Sequence, residues 1–279
     1  MKAWKKALLV SLATAAPAAM AATPAAGLHN TRHDFAFRAM FLETQTVAGG
    51  GVGTVGGVGL CTYCHTPHNA QSTALLWNHT LSANTFTWDE AKTAGGTTYA
   101  SLGPTYKGPT VKCLSCHDAS VAIGDVSMYK EHSRTGAGNE LNTFKVGDTW
   151  SGDATGKTIF RIGVGGTISG SHPVGMPYPY NNASSTYNSI TTGGDVIATE
   201  FEANPHTPAA AAPANPTIKL YNDNAGTISA GPVAGSTGIE CSSCHDPHNK
   251  QTSDDLFLRG KLAGADKASG YICVQCHIK

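Results

Sequence analysis

Apolar positions along the 279-residue chain rarely hold one rhythm for long. The single sustained apolar run is ALLVSLATAA at 7–16, after the positive start MKAWKK and ahead of the small-x-small triplet Ala19-Met20-Ala21. That order predicts a secretory signal peptide over 1–21, and its apolar run falls short of the about 20 residues that span a bilayer. No later stretch is apolar for long enough, so an exported, non-spanning chain from about Ala22 is expected. Helical patterning is brief: Asp34 to Glu43, and WDEAKTA at 88–94. Strand-like runs are KTIFRIGV and TIKLY, with NDNAG as a turn.

Composition changes the picture. The chain has 32 glycines, only 14% charged residues and few aliphatic side chains for its size. Such a chain buries too little apolar surface to offset its ordering entropy by itself. Another source of buried apolar mass is implied, and regular structure should fall below the usual share for globular proteins. Formal charge is zero, with Lys and Arg scattered rather than striped, which argues against nucleic acid as a partner.

The eight cysteines supply that source. All of them lie in four copies of one pattern: CTYCH at 61–65, CLSCH at 113–117, CSSCH at 241–245 and CVQCH at 273–277. Disulfides or zinc explain paired cysteines, but neither requires a histidine after every second one. The attachment signature of c-type haem requires each position. One helical turn brings two thiols to one face, where they add to the vinyl groups of a single porphyrin, and the next residue ligates iron. Four covalently bound haems are expected. Cys61, Cys64, Cys113, Cys116, Cys241, Cys244, Cys273 and Cys276 would be the tethers, and His65, His117, His245 and His277 the proximal ligands.

Twelve histidines are present, while the exported part has only Met40, Met128 and Met176, so bis-histidine ligation is the economical expectation. His68 and His248 follow motifs one and three as TPHN and DPHN. Three residues reach at most about 10 Å, which does not carry a side chain around its own porphyrin, so each should serve a different iron. The doubled layout suggests an internal duplication. Its simplest pairing gives His68 to the second haem and His248 to the fourth, leaving His33 in RHDF and His172 in GSHPVG for the first and third. His29, His79, His132 and His206 are weaker candidates: His79 suits a structural hydrogen bond beside Trp77, and His206 lies beside an Ala/Pro-rich linker.

The expected organisation is a signal peptide (1–21), an N-terminal arm and first dihaem unit (22–135), a Gly/Ser/Thr/Asn-rich insert supplying a distal ligand (136–236), and a second dihaem unit (237–279). A glycine-rich loop, AGGGVGTVGGVG, ends the arm.

In patches from about His33 to His277, the chain resembles the exported multihaem cytochromes of metal-reducing bacteria. The patches are CTYCHTPHN, LLWN, CLSCHDASVA, SHPVG, ECSSCHDPHN, LFLRG and ICVQCH. It is most similar to the tetrahaem outer-surface kind that polymerises into extracellular nanowires. The resemblance implies a multihaem cytochrome c fold, mostly coil with short helices and a few short strands, organised around four stacked haems. It implies bis-histidine irons, with His33, His68, His172 and His248 matching the patches that supply distal ligands, one of them from a neighbouring subunit. His68, just after a CxxCH, is a candidate for that exchange. It further implies a homopolymer at or beyond the cell surface, redox partner cytochromes, and external acceptors such as metal oxides. The alternatives are a discrete periplasmic or cell-surface shuttle and, further off, a multihaem reductase.

Overall fold

The computed structural model describes residues 25–28, 31, 33–34, 60–68, 70, 74–121, 128–129, 132–133, 162–194, 200–205, 218–252 and 256–278. The expected signal peptide, all but Asp34 of the 34–43 helix candidate, the glycine-rich loop, most of KTIFRIGV, the Ala/Pro linker, His29 and His206 lie outside these residues. Among the described residues, α-helix is confined to α1 (Thr110–His117) and the single turn α2 (Cys241–Cys244). No helix among them is long and apolar enough to cross a membrane. The described residues are mostly coil, as the composition predicts.

Strands are short: β1 (Met128–Tyr129), β2 (His132–Ser133), β3 (Met176–Pro177), β4 (Thr186–Tyr187), β5 (Ile190–Thr191), β6 (Tyr221–Asn224), β7 (Thr227–Ala230) and β8 (Thr237–Ile239). An antiparallel four-stranded sheet has the order β3-β8-β6-β7, while β1–β2 and β4–β5 pair separately. Pro177 sits on edge strand β3, where the lack of an N–H is tolerated. The expected turn NDNAG is displaced: Tyr221 to Asn224 is strand, and the turn falls on Ala225 and Gly226, whose φ values are 50° and 85°. A two-residue hairpin loop with both φ positive matches strand twist, which is why the strand runs on to Asn224. The Gly226 N–H also donates to Asp223 Oδ1 at 2.7 Å.

WDEAKTA is not a helix. The Lys92↔Thr98 bridge and the Thr93 N–H to Thr97 carbonyl bond (2.8 Å) fold it into a hairpin around Gly95 and Gly96. Trp88 stacks on Tyr99 at 5.1 Å across it, a tertiary contact that overrides local propensity. Trp88 belongs to the main apolar cluster, with Phe86, Ala100, Leu102, Ile168, Met176 and the α1 residues Val111 and Leu114, and Tyr99 packs against it. A second cluster is only Tyr178, Ile218 and Leu220 with its neighbours.

β8 leads directly into Glu240 and motif three, so the sheet positions that motif. Gly238, paired with both Pro177 and Tyr221, lies under the Tyr187 ring so closely that a Cβ would overlap it. Gly238→Ala should lower the denaturation midpoint of the holoprotein by the equivalent of about 2–3 kcal/mol, the upper range for overpacking; an unchanged urea midpoint would show that the sheet yields freely there.

Candidate functional site

Each CxxCH forms one helical turn closed on its histidine. In motif one the His65 N–H donates to the Cys61 carbonyl (2.8 Å), in motif three His245 to Cys241 (3.0 Å), and in motif four His277 to Cys273 (3.0 Å). Motif two is the C-terminal part of α1. Both cysteines and the histidine therefore share a face in every copy.

Motifs one and three extend this likeness bond for bond. After each, a returning loop bridges the histidine: His65 pairs with Trp77, and His245 with Leu258. Thr66 N–H donates to Leu76 O, and Asp246 N–H to Phe257 O; Asn78 N–H reaches Cys64 O, and Arg259 N–H reaches Cys244 O. Leu75 and Leu76 have positive φ, as do Leu256 and Phe257. His65 Nδ1 lies 2.6 Å from the Leu75 carbonyl and His245 Nδ1 lies 2.7 Å from that of Leu256. A ring nitrogen committed to a carbonyl fixes the tautomer and leaves Nε2 to ligate. LLWN and LFLR are thus equivalent clamps, a duplication signal hidden in the sequence by the differing loop lengths before them.

Three of the four motif histidines face a second imidazole. Ring centroids are 6.2 Å apart for His65 and His248, and 6.3 Å apart both for His117 and His33 and for His277 and His172. Two imidazoles held through Nε2 on opposite sides of one metal, with bonds of about 2 Å, put their centroids roughly 6 Å apart. The residues present therefore fit a haem iron at three positions. The pairing differs from the simplest sequence expectation: His248 faces motif one, not four, and His33 and His172 face motifs two and four, not one and three. Local chain spacing favoured neighbours, whereas the fold joins the two repeats crosswise.

Distinct elements deliver these partners. The segment carrying His33 is tied down by the Gly27 N–H to Asn249 O (3.0 Å), Asn249 Nδ2 to Gly27 O (2.9 Å) and Ala25 N–H to Thr252 Oγ1 (2.8 Å). Asn249 and Thr252 were missed by sequence reasoning, although Asn249 closes the PHN triplet. Phe257, from the motif-three clamp, stacks on His33 at 4.6 Å. His172 rides a turn ended by Gly175, whose N–H donates to Ile239 O at 2.8 Å, and its own Nδ1 meets the Pro173 carbonyl at 2.9 Å. His79 is buried, with Nδ1 2.8 Å from Thr80 O, in keeping with a structural role. Of His132 only its place in β2 is described.

Among the described residues no second histidine ring packs opposite His245. His68 is exposed and packs against none of the four motif histidines. Cysteines of successive motifs lie within electrostatic reach of one another: Cys64 and Cys116, Cys113 and Cys241, and Cys244 with Cys273 and Cys276.

Asp246 organises the turn that presents His248. Its carboxylate accepts the N–H groups of His248 (3.1 Å), Lys250 (2.9 Å) and Gln251 (2.7 Å), with Arg259 at 3.7 Å. Burial opposes its ionisation, but these three N–H groups and Arg259 together outweigh burial and hold the carboxyl below the usual aspartate range. Its contribution is therefore complete above the unfolded-state value near about 3.9 and is lost as pH falls through the lower folded value. Asp246→Ala should destabilise the holoprotein by about 2–3 kcal/mol at neutral pH, the worth of hydrogen bonds to a charged group left unmade. That deficit should vanish in strongly acid solution; a deficit independent of pH would assign the loss to packing.

Residues 231–279 match a family profile described as Doubled CXXCH motif, which covers motifs three and four. No curated protein matches the chain. The matched motif, present here in two further copies, points to covalent c-type haem binding and to a multihaem c-type cytochrome, a class that carries electrons.

Proposed function

We propose that this chain is an electron conduit of four c-type haems, working as the repeating subunit of an extracellular filament. The observation that carries the conduit is the set of three facing imidazole pairs at 6.2–6.3 Å. When bound, haem supplies reversible one-electron Fe(III)/Fe(II) exchange, and imidazole on both sides leaves no coordination position for a substrate. The chain's own work is tethering, axial ligation and close spacing. Cys61 and Cys64, Cys113 and Cys116, Cys241 and Cys244, and Cys273 and Cys276 are the tethers. His65, His117, His245 and His277 are proximal ligands, and His248, His33 and His172 are the distal ligands of motifs one, two and four. The proximity of cysteines in successive motifs supports an electron path in the order one, two, three, four.

His245 supplies the reason to read a filament. Its distal partner is the exposed His68 of a neighbouring copy, so that each subunit completes another's third site. Export, cytochrome partners and an external acceptor such as a metal oxide follow from this reading. Electron microscopy of the purified holoprotein tests it: filaments with every haem low-spin are expected. Uniform monomers whose third haem binds carbon monoxide after reduction would favour a discrete shuttle instead.

A further inference from the structure

A second kind of site lies where motifs two and three touch. Glu240, immediately before Cys241, is 1% exposed, and no ion pair reaches it among the described residues. Its Oε1 accepts the hydroxyls of Tyr106 and Tyr187 (2.5 Å from Tyr187), and its Oε2 accepts the Thr110 N–H at 3.0 Å and the Thr110 hydroxyl. The carboxylate thus caps the N-terminus of α1 from 130 positions along the chain while sitting at the head of α2. Gly108 backs it: a Cβ there would lie 2.5 Å from Oε1. Cys241, the next residue, donates its N–H to the Thr110 hydroxyl at 3.1 Å, and Cys113 lies nearby on α1.

This carboxylate also has a route to water. Tyr106 lines a polar cavity of about 180 Å³ together with Ser101, Thr105, Lys107, Asn188 and Asp223, and Ser101, Thr105 and Lys107 are exposed at its mouth. Tyr106 thus both lines this cavity and donates its hydroxyl to Oε1.

We propose that Glu240 is a proton-binding site coupled to reduction at the haems tethered by Cys113 and Cys241, loaded from this cavity through the Tyr106 hydroxyl. One electron from an upstream redox partner, taken up by the haem when bound, would be matched by one proton: the Tyr106 hydroxyl would pass its proton to Oε1, and a proton from bulk solvent, relayed by water in the cavity, would restore the hydroxyl. The physical reason is charge. An added electron beside a desolvated carboxylate raises the cost of its negative charge, and a proton cancels it. Burial already pushes Glu240 above the usual carboxylate range, against the four hydrogen bonds that favour the anion. The groups facing it are the neutral Tyr106, Tyr187 and Tyr221, with Lys112 as the nearby cation, its own charge disfavoured by burial.

The inference rests on the haem reading of Cys113 and Cys241, and the test separates the two. Redox titration of the holoprotein on an electrode, at a series of pH values, should show potentials that fall as pH rises between the oxidised- and reduced-state pKa values of the site. Glu240→Gln, which keeps the acceptor oxygen of the cap, should lose that slope while retaining full haem content and a low-spin spectrum. Tyr106→Phe should keep the slope but slow the proton-linked phase. Should Glu240→Gln not fold, infrared difference spectra of the wild type still decide: reduction should bring up a protonated carboxylic C=O band that shifts in deuterated water. A slope that survives in Glu240→Gln, or the absence of that band, overturns the proton site and puts any coupling on the porphyrin propionates. Loss of haem from Cys113 and Cys241 in the wild type would instead overturn the reading beneath it.

Discussion

His248→Ala should turn one haem, that of motif one, from low-spin to high-spin and leave the other sites unchanged. The argument is geometric. His248 faces His65 at 6.2 Å although 183 positions separate them, and its turn is held by Asp246. Removing the imidazole leaves iron with a weak or absent sixth ligand, so about a quarter of the reduced haem should bind carbon monoxide. The ferric spectrum identifies which haem. The His65 and His248 planes are 16° apart, whereas the His33–His117 and His172–His277 planes cross at 65° and 60°. Near-parallel imidazoles split the iron d-orbitals that they overlap and give a rhombic low-spin signal. Crossed planes leave those orbitals close in energy and give a single, strongly anisotropic one. The variant should lose the rhombic signal and keep the anisotropic ones. Retention of the rhombic signal would refute the pairing with motif one.

His68→Ala should abolish polymerisation and leave the third haem five-coordinate in every subunit. His68 is exposed, with its N–H 3.4 Å from Thr66 Oγ1, so its removal costs the subunit little. Free imidazole added to the variant should restore a low-spin third haem without restoring filaments, because it supplies a ligand but no tether between copies. Filaments formed normally by His68→Ala would end the exchange proposal while leaving the conduit intact. His245→Ala must be compared with it, since that change removes the proximal side of the same iron and should cause a larger loss of subunit stability.

Much of the chemistry was legible without coordinates because it is local. CxxCH sets two sulfurs and a ring on one turn, and that turn recurs in all four copies. The coil-rich architecture also followed from composition, since glycine and few aliphatics leave little to build layers from. Local patterning failed where a tertiary contact outweighed it, as at WDEAKTA, where the Trp88–Tyr99 stack and the Gly95-Gly96 bend replace a helix. It failed again at the repeat: the LLWN and LFLR clamps look unrelated until their hydrogen bonds to motifs one and three are compared.

The sequence by itself pointed to the residues that can hold haem and made imidazole, rather than thioether, the expected axial ligand. Only the tertiary structure decided which imidazole meets which, and that a glutamate preceding motif three caps the helix of motif two. The physical reason is range. A turn is fixed by bonds between residues four apart, which a motif records. Axial pairing and the Glu240 bracket join groups up to 183 positions apart, and their proximity is set by how the sheet, the clamps and the apolar cluster pack together.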